Sequence, residues 1–325
     1  MNVKIIGAGI FGCNIAVSLA KRGLKVDLHE RENEILQGAS ANNHNRLHTG
    51  AHYPRSFQTI EEILSSVEIF EKRYHEAVVS DIETTYAIAK NGSHLTSVEF
   101  EEALEGRVPG FHRVEKSDFP YYNENKIDNI YSVKENVYDI AILKSTMKDR
   151  LDQAGVALHL GKEIDVNKLA SDEKFYVIDC TYGSRLYGNA MQAFYKIENV
   201  HIPVVELDLD KKIACTVMDG PFISFLPSGR SSSEYLIYDV ENSPGKDNFD
   251  TKYREIAKKF VEYYNVDILE LKSVRQSRRV NPITKNDDRN LVVQTERNIA
   301  TVLSGKVTSV ITAENQILKW LNVVV

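Results

Sequence analysis

The chain opens on a largely apolar run, Val3 to Ile6, which predicts a strand. A glycine-rich turn follows, then a helix-like segment closing near Gly23 and a second apolar strand ending at Glu30. Beyond a loop of small and polar residues, Gly38 to Asn45, apolar positions recur at Ile60, Ile63, Leu64, Val67, Ile69 and Phe70. That spacing predicts an amphipathic helix over 58–77. The pattern turns strand-like after Glu83 (TTYAIAK), helical over 97–105, then loop-rich and aromatic to about 132. A helix over 139–154 is expected to stop at Gly155, a C-cap residue, before the strand VALHL; the strand KFYVIDCTYG then ends in Gly183. Between 200 and 240 the segments HIPVVELDL, KIACTVM, FISFLP and EYLIYDV alternate as half-buried antiparallel strands do. A helix over 251–264, the strand NIATVLS, a Gly305-Lys306 turn and a terminal helix from Thr308 to Leu321 complete the reading.

Parallel-type α/β segments at both ends, with an antiparallel block between them, predict one domain interrupted by another. The expected fold class is α/β. A discontinuous Rossmann-like nucleotide-binding domain is expected from 1–83, 136–194 and 276–325, and a second, α+β domain with an antiparallel sheet from 84–135 and 195–275. The 325 residues allow one large core or two modest ones, since domains commonly run ~100–200 residues. Apolar content of 42% and charged content of 26% are ordinary for a globular chain, and a net charge of −6 favours neither nucleic acid nor anionic membrane. No window approaches the ~18 consecutive apolar residues of a membrane span. With a strand expected from residue 3, no signal peptide is expected. Cys13, Cys180 and Cys215 are scattered in apolar contexts, which suits reduced, buried thiols in a cytoplasm. The nine histidines show no metal-ligand spacing, so no metal is expected.

The most informative stretch is Gly7-Ala8-Gly9-Ile10-Phe11-Gly12, set between two strands. Gly7 permits the tight turn, Gly9 lets the backbone approach a pyrophosphate, and Gly12 lets the helix pack closely on the sheet. Ile10 and Phe11 open a helix whose N-terminal N–H groups face the phosphates. Glu30, 18 positions after Gly12, stands where a carboxylate accepts hydrogen bonds from an adenosine ribose, with Arg31 beside it. A dinucleotide cofactor is expected, and on this unit alone it is NAD or FAD.

Taken with three further motifs, the unit resembles the FAD-dependent oxidoreductases of the D-amino-acid oxidase type, a branch of the glutathione-reductase-like flavoproteins. The segment from Ser40 to Tyr53 is similar to the loop of L-2-hydroxyglutarate oxidases and dehydrogenases, with Asn43, His48, Gly50 and Tyr53 on that family's Asn, His, Gly and second Tyr. VIDCTYG at 177–183 resembles the strand that passes close to the FAD pyrophosphate. The run from Leu303 to Thr308 resembles the turn that covers the flavin's pyrimidine end, with a helix N-terminus near O2. The chain departs from the pattern where His44-Asn45 replaces a Ser-Gly pair, with Arg46 next, and where a plain Gly305-Lys306 replaces a glycine-rich turn. The resemblance implies FAD, held by the first turn with Glu30 and Arg31, and by Ser40, Asn43, Arg46 and Leu47. It implies further contacts from Cys180, Thr181 and Gly183, and from Gly305, Lys306, Val307 and Thr308. A nicotinamide cofactor would not need the two downstream motifs.

The implied activity is oxidation of a CH–OH (2-hydroxy-acid-like) or CH–NH bond of a small polar, anionic substrate, by hydride transfer to flavin N5. An alcohol must also lose its O–H proton, whereas a neutral amine gives up hydride unaided, so a base marks the alcohol reaction. Histidine titrates near neutrality, and His48 is expected as that base, with His52 and Tyr53 on the substrate side. The alternative for these histidines is a hydrogen bond to the ribityl chain or to backbone. Arg279, in preference to Arg278 or Arg46, is expected to grip the substrate anion in bidentate fashion. Lys306 and the helix after it are expected to place positive charge near the flavin N1–C2=O edge. Tyr53, Phe222, Phe225 and Tyr238 either wall the pocket or fill an ordinary sheet core. An amine or amino-acid oxidase is the close alternative, and a non-redox flavoprotein such as a sugar-nucleotide mutase the next.

Overall fold

Strand Asn2–Ile6 lies inside a six-stranded sheet ordered Val292–Glu296, Ile299–Leu303, Tyr176–Asp179, Asn2–Ile6, Lys25–His29 and Ala157–His159. The computed structural model describes residues 1–172, 174–183, 195–245, 248–283 and 290–323, and the expected domain limit at 194 lies outside them. Every pair in this sheet is parallel except the edge pair of Val292–Glu296 with Ile299–Leu303. Burial on both faces accounts for the apolar first strand. Val3 and Ile5 enter the main core, while Ile6 joins Val177 and Ile299 on the other side. Helix Ile10–Lys21 is buried along most of its length and shares that core with helix Val310–Trp320. Between the two helices Asn14 and Ser18 donate to the Glu314 carboxylate, which also pairs with Arg73, so the buried polar groups are satisfied. The helix expected over 58–77 runs Phe57–Arg73, capped by Ser56, and continues as a 3₁₀ turn, His75–Ala77. The terminal helix likewise opens with a 3₁₀ turn, Val307–Ser309.

A second sheet has eight strands, ordered Ile268–Pro282, Tyr195–Leu207, Glu234–Asp239, Ile223–Pro227, Ile213–Met218, Glu83–Ala89, Ile127–Val133 and His112–Val114. It is antiparallel apart from one parallel pair, Ile213–Met218 with Glu83–Ala89, which alternation alone does not distinguish. Helix Phe249–Tyr263 lays Ile256 and Phe260 on one face, against Cys215, Val217 and Phe225. Phe225 is fully buried there and fills core, whereas Phe222 and Tyr238 reach the cavity described below. Thr216, between Cys215 and Val217, points to the opposite face, where it meets Arg46.

Strand Ile268–Pro282 runs beside Tyr195–Leu207, from Ile268 opposite Leu207 to Pro282 opposite Tyr195. It is an edge strand of mostly polar residues, so no apolar alternation marks it. Residues 276–282, read above as part of the nucleotide-binding unit, therefore continue the larger sheet. A small sheet of Arg46–Leu47, Asn136–Tyr138 and Val78–Val79 brings residue 135 beside Arg46. No helix among the described residues is long and apolar enough to cross a membrane.

Candidate active site

The turn after the first strand requires its glycines. Gly7 has a φ of +99°, and a Cβ there would lie 2.6 Å from the Cys180 carbonyl oxygen; a Cβ at Gly12 would lie 1.9 Å from the Gly7 oxygen. Glu30 Oε2 accepts from the Ala8 N–H at 2.7 Å, and Ser40 Oγ from the Ile10 N–H at 3.0 Å, so both side chains flank the turn. A cavity of about 1320 Å³ extends from here to the larger sheet. That exceeds the ~300–1,000 Å³ of ordinary small-molecule sites and suits a long dinucleotide together with a substrate.

Gly7, Gly9, Ile10, Phe11, Glu30 and Arg31 all line this cavity. So do Ser40, Asn43, Cys180 and Thr181, and on the far side Arg46, His48, His52, Tyr53 and Arg279. Gly305, Lys306 and Val307 complete the wall. Gly12, Leu47, Gly183 and Thr308 stand outside it. Gly12 packs on Gly7 and Gly183 against Val280, while Leu47 and Thr308 are buried.

Side chains of the loop from Ser40 to Asn45 shape the loop itself. Asn43 Nδ2 donates to Ala39 O at 2.9 Å and to Tyr138 OH at 2.8 Å, and Asn43 Oδ1 accepts from the Asn45 N–H at 2.6 Å. Arg275, on the larger sheet, donates to Asn43 O and to Asn45 Oδ1 at 3.0 Å each. The Asn43 amide is therefore spent on the loop. Arg46 is spent as well: its Nη1 donates to Tyr86 OH at 2.8 Å and to Thr216 Oγ1 at 2.9 Å, and pairs with Glu135 Oε1 at 3.3 Å.

No motif in the sequence marks Glu135. It is 3% exposed, and it accepts from Tyr86 OH at 2.8 Å and from the Thr49 N–H at 3.0 Å, while His48 Nδ1 lies 3.6 Å from its Oε2. Burial pushes this carboxyl up, but the facing His48 ring and the charge of Arg46 outweigh it and hold the group below its ordinary range. For His48 burial wins over Glu135, so the imidazole titrates below its ordinary value and is neutral at pH 7. His44, edge-on to Tyr238 at 4.3 Å between centroids, is pushed further down by burial and then by Arg46.

His48 is grouped with His52 and Tyr53, at 4.9 Å and 5.3 Å between ring centroids. Lys306, 3% exposed, pairs with Glu62 Oε1 at 3.4 Å and stands 5.8 Å over the Tyr53 ring. Arg279 donates to Tyr238 OH through Nη1 and to Glu198 through Nη2 at 2.9 Å, so the bidentate face expected for a substrate is already engaged. Its buried Nε has no hydrogen-bond partner among the described residues. Arg278, next to it, is exposed but also lines the cavity. Arg55 and Asp219, unmarked in the sequence, add another pair to the wall at 2.6 Å. Arg46, Arg55, Arg279 and Lys306 each face a carboxylate, which leaves this part of the wall close to neutral.

FAD fits these residues: the glycine turn leaves room for a pyrophosphate at a helix N-terminus, Glu30 lies beside it, and the buried His44 Nε2 has no hydrogen-bond partner among the described residues. Residues 2–187 match the family described as FAD dependent oxidoreductase, DAO. The FAD-dependent monooxygenase kojA of Aspergillus flavus is 27% identical over 262 residues, covering 70% of this chain and 58% of that protein. The chain thus spans little more than half the length of that relative. The FAD-dependent monooxygenase FPY4 of Fusarium mangiferae is 24% identical over 347 residues, covering 99% of this chain and 91% of its own. Among solved structures, L-alpha-glycerophosphate oxidase from Mycoplasma pneumoniae, with FAD bound, superposes with a TM-score of 0.74 at 16% identity, covering 99% of this chain and 94% of that one. Glycine oxidase from Geobacillus kaustophilus gives 0.71 at 15% identity, covering 99% and 93%. The solved structures share the fold, the family match spans more than half of the chain, and the protein accordingly belongs to the FAD-dependent oxidoreductases of the D-amino-acid oxidase type, with FAD as its cofactor.

Proposed function

We propose that this flavoprotein oxidises a CH–OH bond of a small polar substrate, with His48 as the base. The observation that carries the reading is an imidazole, His48, set in the cavity wall beside His52 and Tyr53, where burial favours its neutral form. Bound FAD supplies a hydride acceptor at N5. His48 takes the hydroxyl proton, the step an alcohol needs and an amine does not. His52 and Tyr53 pack on His48 and shape the substrate side. Arg279, braced by Glu198 and Tyr238, offers its Nε to a substrate oxygen. In this reading the parallel sheet with its helices holds the cofactor and the larger sheet supplies the substrate wall.

The test is anaerobic mixing of the purified yellow protein with panels of 2-hydroxy acids, other alcohols, amines and amino acids, followed at the flavin absorbance without added nicotinamide. Bleaching by an alcohol is the expected result. Bleaching by amines alone would replace the reading with amine oxidation. Entry of an ¹⁸O atom from O₂ into product would replace it with the chemistry named for kojA and FPY4.

At the other end of the cavity, Glu30→Ala removes a charged acceptor beside the turn and is expected to weaken FAD binding by about 1.5–3 kcal/mol, roughly 10- to 150-fold in Kd. Titration of apoprotein with FAD, read by quenching of flavin fluorescence, measures this. An unchanged Kd would remove Glu30 from the cofactor site.

A further inference from the structure

We propose that Glu135 is the positioning residue of His48: its carboxylate faces Nδ1 of the imidazole, favours the proton there and leaves the lone pair on Nε2 to receive the substrate proton. The proposal rests on the reading of His48 as the base. Its starting point is strand register. Arg46 lies opposite Val137 and Leu47 opposite Asn136 in an antiparallel pair, so one further step sets His48 across from Glu135. Glu135 is placed there from the turn between Ile127–Val133 and Asn136–Tyr138.

The carboxylate is not free to rotate. Tyr86 OH and Arg46 hold Oε1, and the Thr49 N–H holds Oε2, which leaves Oε2 facing His48 Nδ1 at 3.6 Å. An ionised carboxylate only accepts hydrogen bonds, so the ring nitrogen turned toward it carries the proton. At 3.6 Å the contact is longer than a hydrogen bond, and the buried Nδ1 has no hydrogen-bond partner among the described residues, so the facing carboxylate is what favours a proton on Nδ1.

The charges around His48 make the effect measurable. Arg46 on its own strand and Lys306 on the turn after Leu303 oppose protonation of the ring, and Glu135 is the anion that offsets them. His44, His52 and Tyr53, on the same segment, add further polar groups. Without the Glu135 charge, the opposition of Arg46 and Lys306 remains.

The test uses FAD-loaded protein labelled with ¹⁵N-histidine, in which nitrogen shifts report tautomer and titration of each ring and His48→Gln identifies the His48 signals. Wild type is expected to show His48 with the proton on Nδ1. Glu135→Gln is expected to lose that preference and to move the titration of His48 to lower pH by about 1–3 units, and Glu135→Asp to restore the wild-type direction. An Nε2–H tautomer in wild type overturns the proposal without need of any variant. An unmoved titration in folded, yellow Glu135→Gln overturns it as well, since loss of a carboxylate facing the ring must lower the ring's pKa. The separate reading of His48 as base fails by a different result, a His48→Ala variant that bleaches as fast as wild type.

Discussion

His48→Ala is expected to slow anaerobic bleaching of the flavin by an alcohol substrate roughly 10²–10⁴-fold, the range lost when a general base is removed. The FAD content should stay close to that of wild type, because Glu30, Ser40 and the glycine turn lie elsewhere in the cavity. The pH dependence carries the sharper signature. Only the neutral imidazole accepts a proton, and burial holds its pKa below the ordinary 6.5. The wild-type rate should therefore climb as pH rises through that lowered value and level off above it. The variant should lose this limb. With an amine substrate the outcome reverses: the variant should keep most of its rate once pH is high enough to deprotonate the amine. Stopped-flow mixing across pH reads both cases, and a variant purified without FAD would show that His48 serves the cofactor rather than the proton.

Arg46→Ala should cost about 3–5 kcal/mol of stability, because it strands the buried Glu135 carboxylate without its cation. The sign of the pH effect follows from the two proteins' carboxyl groups. In wild type Glu135 sits below its ordinary value of 4.5, so its contribution is present above that pH and is lost as pH falls through the folded-state value. In the variant, burial without Arg46 raises the group, so its ionisation opposes folding and stability is lost as pH rises through the raised value. The gap between the two proteins should accordingly narrow on acidification from pH 7 toward pH 4, as followed by urea unfolding. The double variant Arg46→Ala with Glu135→Gln removes both charges and should recover much of the loss. If it is as unstable as Arg46→Ala alone, the packing of the long side chain, and not the stranded charge, was the cause.

The nucleotide turn was legible because its geometry is short-range. A positive φ at Gly7, a Cβ that would strike a carbonyl 5 residues earlier in the chain at Gly12, and a carboxylate 22 positions from the N–H it meets are all consequences of one strand–helix–strand unit. Residue type at each position leaves the backbone no comparable alternative there. The helices around it were legible for a similar reason, since their apolar faces repeat within a few turns. The far end of the cavity was not. Thr216 meets Arg46 across 170 positions and Glu198 meets Arg279 across 81, and no local pattern announces either contact. Register decided that Arg46 would turn its guanidinium into a buried pair while Leu47, one residue on, would enter the core. The histidine at position 48 was visible in the sequence, but its neutral state was not. That state depends on how deeply the fold buries the ring and which charges reach it from other strands, and those are properties of packing between distant segments.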